Sequence, residues 1–117
     1  MLPKKQRVKT ALFGQIVRSR LGANAPLFRI KYLRGNFKPS LFAVAVPKSV
    51  CRRIVDRNMV KRRISGSLEE GMKKISIAEG FASIIFANKY LDAGARLELE
   101  QQLLSVFQKI GCFKPRD

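Results

Sequence analysis

In 117 residues the chain carries 24 Lys plus Arg against 8 Asp plus Glu, a formal net charge of +16 with a pI near 10.8. At 46% hydrophobic it has the material for a core, which excludes a disordered basic tail. The absence of histidine and the wide spacing of Cys51 and Cys112 exclude an ordinary zinc site, and no apolar run approaches the roughly 20 residues of a membrane span.

Residues 1–9 read as a basic, extended lead-in to a single domain spanning 1–117. No apolar segment follows the first lysines, so no signal peptide is expected and the chain is expected to be soluble and cytoplasmic. From Thr10 to about Arg20 the spacing of Leu12, Phe13, Ile16 and Val17 predicts a short helix, with Thr10 as its N-cap. Gly22 to Pro26 breaks it. Leu27–Arg34 alternates, with Phe28, Ile30 and Tyr32 on one side and Arg29, Lys31 and Leu33 on the other, the pattern of a strand with one apolar and one largely basic face. Gly35–Pro39 reads as a hairpin loop, and Leu41–Val46 as a continuous apolar strand central to a sheet.

Residues 50–74 are rich in helix formers. Val60, Ile64, Leu68 and Met72 recur at steps of four, and nearly the same line carries Arg53, Arg57 and Lys61 further back. Either the front of this helix overhangs the core or the helix begins nearer Asp56. Phe81–Ala87 predicts a buried strand. Asp92 is a candidate cap for a last helix in which Leu99, Leu103, Val106, Phe107 and Ile110 form an apolar face closed by Gly111. The order of elements predicts an α+β fold with helices packed on a sheet.

The charge is uneven. Residues 1–67 hold 17 cations and one acid, Asp56, whereas residues 68–117 hold seven of each. The densest stretch runs from Lys48 to Arg63: Lys48, Arg52, Arg53, Arg57, Lys61, Arg62 and Arg63 face the single Asp56. That imbalance is too great for a surface of paired charges, and arginine forks match phosphate oxygens. A polyanion is the expected partner, held with strong salt dependence. Unaided phosphodiester hydrolysis needs acid–base groups or metal-holding carboxylates. With no histidine, with Asp56 better read as a helix cap or arginine partner, and with the remaining acids scattered, the chain is not expected to carry that chemistry itself. Composition does not choose RNA over DNA.

Val46-Pro47-Lys48, then Arg52-Arg53, then Arg57-Asn58 followed by Lys61-Arg62 resembles the arginine–asparagine signature of bacterial ribonuclease P proteins. The setting is similar too: an apolar strand before the signature, a basic amino-terminal segment with Phe13 in a short helix, and afterwards a buried strand ending in Asn88-Lys89 and an amphipathic helix. The resemblance runs from about Leu2 to Ile110. It implies a small α+β domain on a mostly antiparallel sheet, a short extra strand near Arg20–Asn24, and a left-handed strand–helix–strand crossover against the usual rule. It also implies the protein component of a ribonucleoprotein endoribonuclease. In that enzyme a catalytic RNA, with Mg2+ bound through the RNA and no cofactor on the protein, cleaves precursor tRNA at its 5′ end.

The partners implied are that RNA and precursor tRNA, with the protein monomeric in the complex and no membrane involved. The RNA-binding residues implied are Lys48, Arg52, Arg53, Arg57, Asn58, Lys61, Arg62 and Arg63. A groove between the first helix and the sheet is expected to hold the 5′ leader, with Phe13 and Tyr32 as candidate stacking residues. Both compete with plain core packing, since Phe28, Ile30 and Tyr32 share one apolar face. The sequence departs from the family pattern at Met59, where a further arginine is common, and at Ser65, Gly66 and Val17. The spacing from Arg7 to Phe13 is one residue short. The alternative reading is a ribosomal or other structural RNA-binding protein on a similar scaffold. A DNA-binding protein has less support, because no helix-turn-helix is legible.

Overall fold

The computed structural model describes residues 7–114, so residues 1–6 of the expected lead-in lie outside the described residues. Arg7 and Val8 lie along Phe42. Arg7 forms a parallel bridge with it, and the Val8 amide donates to its carbonyl at 3.2 Å. Helix α1 is Thr10–Val17. Its cap is Lys9, which makes no side-chain capping bond, so Thr10 is the first helical residue and not the predicted cap.

Strand β1 (Gly22–Asn24) is the short extra strand that the resemblance implied. It pairs antiparallel with β2 (Phe28–Arg34), Gly22 opposite Lys31. A side chain at Gly22 would put its Cβ 2.7 Å from the Ile30 carbonyl oxygen, so only glycine lets the two backbones come this close.

The order of strands corrects two expectations. Strand β3 (Leu41–Ala45) does not fold back on β2, and Gly35–Pro39 is not a hairpin loop. Strand β5 (Phe81–Ala87) inserts between them, giving the order β1-β2-β5-β3. β5 runs antiparallel to β2, Phe28 opposite Ala87, and parallel to β3, Leu41 opposite Ala82. Hydrogen bonds explain the detour. The Gly35 amide donates to Gly80 and the Gly80 amide to Phe37, at 3.0 and 2.8 Å. Ser40 Oγ donates to the Ala78 carbonyl at 2.5 Å and accepts from the Phe81 amide at 3.2 Å. The connection is thus stitched across the start of β5 and delivers β3 to the far edge. The central strand is β5. Two of the three ladders are antiparallel, so the sheet is mostly antiparallel as expected.

Helix α2 (Ile54–Lys74) makes the crossover from β3 to β5. It follows a turn in which the Val50 and Cys51 amides both donate to the Pro47 carbonyl. The start at Ile54 decides the question left open by the sequence: the helix begins near Asp56, and Arg53 is its N-cap residue. Asp56 lies in the first turn, where a carboxylate favours the helix dipole, and is not the cap.

Two strands of two residues, β4 (Ser76–Ile77) and β6 (Phe113–Lys114), pair after α2 and after α3 (Arg96–Ile110). Asp92 precedes a 3-10 turn, Ala93–Ala95, and accepts the Ala95 amide through its backbone carbonyl, without the predicted side-chain cap. Gly111, at φ 91°, closes α3 as predicted.

Apolar side chains fill both faces of the sheet. On one face, Phe28, Ile30, Phe42, Phe81 and Ile85 meet Val60, Ile64 and Leu68 of α2 and Leu99, Leu103 and Phe107 of α3. Phe42, Phe107 and Phe113 form an aromatic knot, the last two stacked at 4.7 Å. On the other face, Ile16 of α1 meets Ala82 and Ile84, with Leu12, Phe13, Leu33 and Phe86 around them. Each fully buried large side chain contributes about 1.5–3 kcal/mol. The architecture is three-layered: α1, the sheet, then α2 with α3.

Candidate nucleic-acid interface

The two ends of α2 differ in how their charges are met. Lys73 pairs with Glu70 at 3.2 Å and Lys74 with the largely buried Glu100 at 2.5 Å, both at the carboxy end. Nearer the amino end, Arg52, Arg53, Asn58, Lys61 and Arg62 are all exposed, and Lys48 is exposed in the turn before the helix. Among the described residues, Lys61 and Arg62 make no ion pair or hydrogen bond. At 3.6 residues per turn, Asn58, Lys61, Arg62 and Ser65 share one flank.

That flank forms one wall of a groove of about 560 Å3, lined by Lys61, Arg62 and Ser65 of α2, by Phe42–Val44 of β3 and by Arg7 and Val8. A second cleft, of about 580 Å3, lies on the other side of Arg7, between α1 and the segment 38–41; Lys9, Lys38 and Gln15 border it. The floor of both is partly apolar and the rims are cationic. Such a surface suits a single-stranded polyanion, phosphates on the rims and less polar sugar and base surface against the floor.

Two predicted residues are committed elsewhere. Arg57 is half-buried and its Nη1 donates to the Cys51 and Arg52 carbonyls at 3.2 and 2.9 Å, fastening the turn that carries Lys48 and Arg52. Arg63 points to the opposite flank of α2. Its Nη1 donates to the Leu91 carbonyl at 2.6 Å and to the Tyr90 hydroxyl at 3.3 Å. Sequence spacing placed these arginines in the cationic segment but could not reveal what their guanidinium groups hold.

The two aromatic candidates are separated. Tyr32 packs in the α2–α3 core beside Phe81, ring centroids 5.9 Å apart, whereas Phe13 packs across the sheet with Ile16 and Ala82. One groove cannot be lined by both, because alternate residues of a strand face opposite ways. The α1 side of the sheet has other residues that the sequence reading did not single out. Arg29 places its guanidinium 4.8 Å from the centroid of the half-buried Phe86 ring. Lys31 Nζ donates to the Val17 carbonyl at 2.9 Å, holding the end of α1 against β2. The period-two pattern had put Arg29 and Lys31 on this face; Phe86 was hidden in a continuous apolar run.

Neither cysteine offers reactive chemistry. Both are buried, and burial pushes the Cys112 thiol up to about 12. Among the described residues no group of three or more His, Cys, Asp or Glu could hold a metal ion, and no helix is long and apolar enough to cross a membrane.

A family model described as Ribonuclease P matches residues 2–111. Solved structures of similar fold include the Staphylococcus aureus RNase P protein, at 19% identity and a TM-score of 0.70, covering 93% of this chain and 98% of that one. A Staphylococcus aureus RNase P protein mutant with defective mRNA degradation activity shares 20% identity, with a TM-score of 0.73 and coverage of 94% and 92%. The Thermotoga maritima RNase P protein shares 14% identity, with a TM-score of 0.61 and coverage of 89% and 93%. No match was found among curated proteins.

Proposed function

The chain belongs to the ribonuclease P family, protein subunits of the endoribonuclease that processes tRNA, and from that premise we propose how its surfaces divide the work. The cationic flank of α2 binds the catalytic RNA, with Asn58, Lys61 and Arg62 on phosphates and Lys48, Arg52 and Arg53 extending the contact. The cleft beside α1 takes the 5′ leader of precursor tRNA, with Lys9 and Lys38 near its phosphates, and the leader continues over the α1 face of the sheet, where Arg29 lies near its phosphates and Phe13 and Phe86 near its bases. The RNA and the Mg2+ it binds carry the cleavage in the cytoplasm.

The observation that carries this reading is the asymmetry of α2: its carboxy-end lysines are paired with acids, while Lys61 and Arg62 stand exposed beside a groove. An interface for a polyanion needs such unpaired cations, and a merely solvated helix would distribute its pairs along its length. Nuclease chemistry by the protein itself is not favoured: there is no histidine, and the only acid in residues 1–67 sits in the first turn of α2.

The test is reconstitution. The protein is added to its cognate ribonuclease P RNA and precursor tRNA at low Mg2+. Restored 5′ cleavage is expected, because neutralised phosphate repulsion replaces the missing counterions. Cleavage unaffected by the protein overturns the reading.

A further inference from the structure

The outward crest of α2 is unexpectedly apolar. Val55 is 59% exposed and Met59 37%, and residues four apart on a helix are neighbours. Tyr90, 46% exposed, joins them from the segment after β5, its hydroxyl donating to Met59 Sδ at 3.5 Å. The ring is held from behind by Arg63, whose guanidinium lies 5.9 Å from the ring centroid while it hydrogen-bonds Tyr90 and Leu91. Single exposed apolar residues are ordinary, but a run of them from Val55 through Met59 to a fixed, exposed aromatic ring is not.

We propose that Val55, Met59 and Tyr90 form a platform that stacks the face of an unpaired RNA base. This rests on the reading of the chain as an RNA-binding subunit and adds a contact outside the groove. Lys61, which lines the groove, lies about 160° around the helix from Met59, and Arg62, about 60° away, stands between groove and platform.

The occupant follows from charge. Arg62 and Arg63 lie three and four residues beyond Met59 and Lys89 precedes Tyr90, against Asp56 three residues before Met59 and Asp92 two after Tyr90, so cations outnumber acids around the apolar centre. A second copy of the chain would bring another +16 to the same place and be repelled. A single-stranded nucleotide fits, because it offers an uncharged π-face flanked by phosphates, and stacking on aromatic side chains tolerates any base. Arg63 fixes the ring before binding, so little side-chain freedom is lost when a base arrives.

The chain has no tryptophan, so Tyr90→Trp supplies a single emitter at the platform. On saturation with the cognate ribonuclease P RNA its emission should be quenched and shielded from acrylamide. Met59→Ala and Tyr90→Ala should each weaken binding of that RNA by about 5- to 150-fold, since one stacked base is at stake. Their slope of log affinity against log salt should match wild type, because stacking releases no counterions, and Tyr90→Phe should bind normally. Thermal melts confirm that each variant is folded, and Met59→Ala leaves the Arg63–Tyr90 contact in place.

The platform is overturned if Tyr90→Trp emission and the affinities of both alanine variants stay at wild-type values while Lys61→Ala with Arg62→Ala still weakens binding. If that double variant also binds normally, the RNA-binding reading itself falls, and the platform with it. Wild-type dimers in sedimentation that Met59→Arg dissociates, with RNA affinity unchanged, would assign the patch to a second copy and overturn the proposal.

Discussion

Replacing Lys61 and Arg62 together by alanine isolates the electrostatic part of the interface. Both side chains are exposed and partnerless among the described residues, so stability should change by no more than about 0.5 kcal/mol. Each phosphate contact adds about 0.7 to 0.9 to the slope of log affinity against log salt, so two contacts add about 1.4 to 1.8. Between 50 and 200 mM salt, a fourfold change, the wild type should therefore lose about 7- to 12-fold more affinity than the double variant. Put the other way, the variant is most defective at low salt and approaches wild type as salt rises. The assay is filter binding of the catalytic RNA at four or five salt concentrations, with a thermal melt of each protein. A defect of constant size across the series would refute the reasoning, because it would mean that the lost contacts are not with phosphate.

Arg57→Ala should behave differently: it removes two charge-assisted hydrogen bonds to the Cys51 and Arg52 carbonyls, so a loss of about 1–3 kcal/mol is expected in urea unfolding. An unchanged midpoint would show that the turn holds itself. Phe13→Ala and Phe86→Ala should lower affinity for precursor tRNA in the reconstituted enzyme by about 5- to 150-fold while mature tRNA binds as before. Tyr32→Ala, on the opposite face of the sheet, should show no such discrimination; a precursor-specific defect there would contradict the assignment of faces. Cys112 gives a pH signature. Its thiol ionises near 9.0 when unfolded and near 12 when folded, so between these values the unfolded chain has lost a proton that the folded chain keeps. Its contribution is fully present below about pH 9 and lost as pH rises toward 12. Cys112→Ala should lose stability less steeply over that window, and parallel curves for the two proteins would show that the thiol does not stay protonated.

The elements whose signals are local were legible. Phe81–Ala87 was read with its observed bounds because both its faces are covered, which leaves an uninterrupted apolar run. Leu41–Ala45 has nearly the same composition and is an edge strand. Burial of both faces says nothing about which neighbours lie to either side, so an apolar run reads the same at the centre as at an edge, and the Gly35–Pro39 connection reads as a hairpin. What decides strand order is the set of long-range bonds from Ser40, Gly35 and Phe37 to residues 78–81, and no periodicity encodes those. The strands β4 and β6 are two residues each, too short for any repeat to register. The cationic segment was legible from composition, but its division was not. Lys61 and Arg63 are two residues apart, yet one faces a groove and the other is folded onto Tyr90 and Leu91.

The late position of β5 has a bearing on how the chain is made. A ribosome delivers β2 and β3 well before Phe81, yet every long ladder of the sheet apart from the short β1 pairing runs through β5. Until Ala87 has emerged, β2 has only the three residues of β1 to pair with, β3 has only the bridge from Arg7, and the run of cations has no tertiary framework. Polypeptides arrested before Phe81 should then be sensitive to protease, and resistance should come only once β5 and the α3 residues that complete the core, Leu99, Leu103 and Phe107, have emerged. Folding of the nascent chain therefore waits on the last third of the sequence, which the ribosome delivers last.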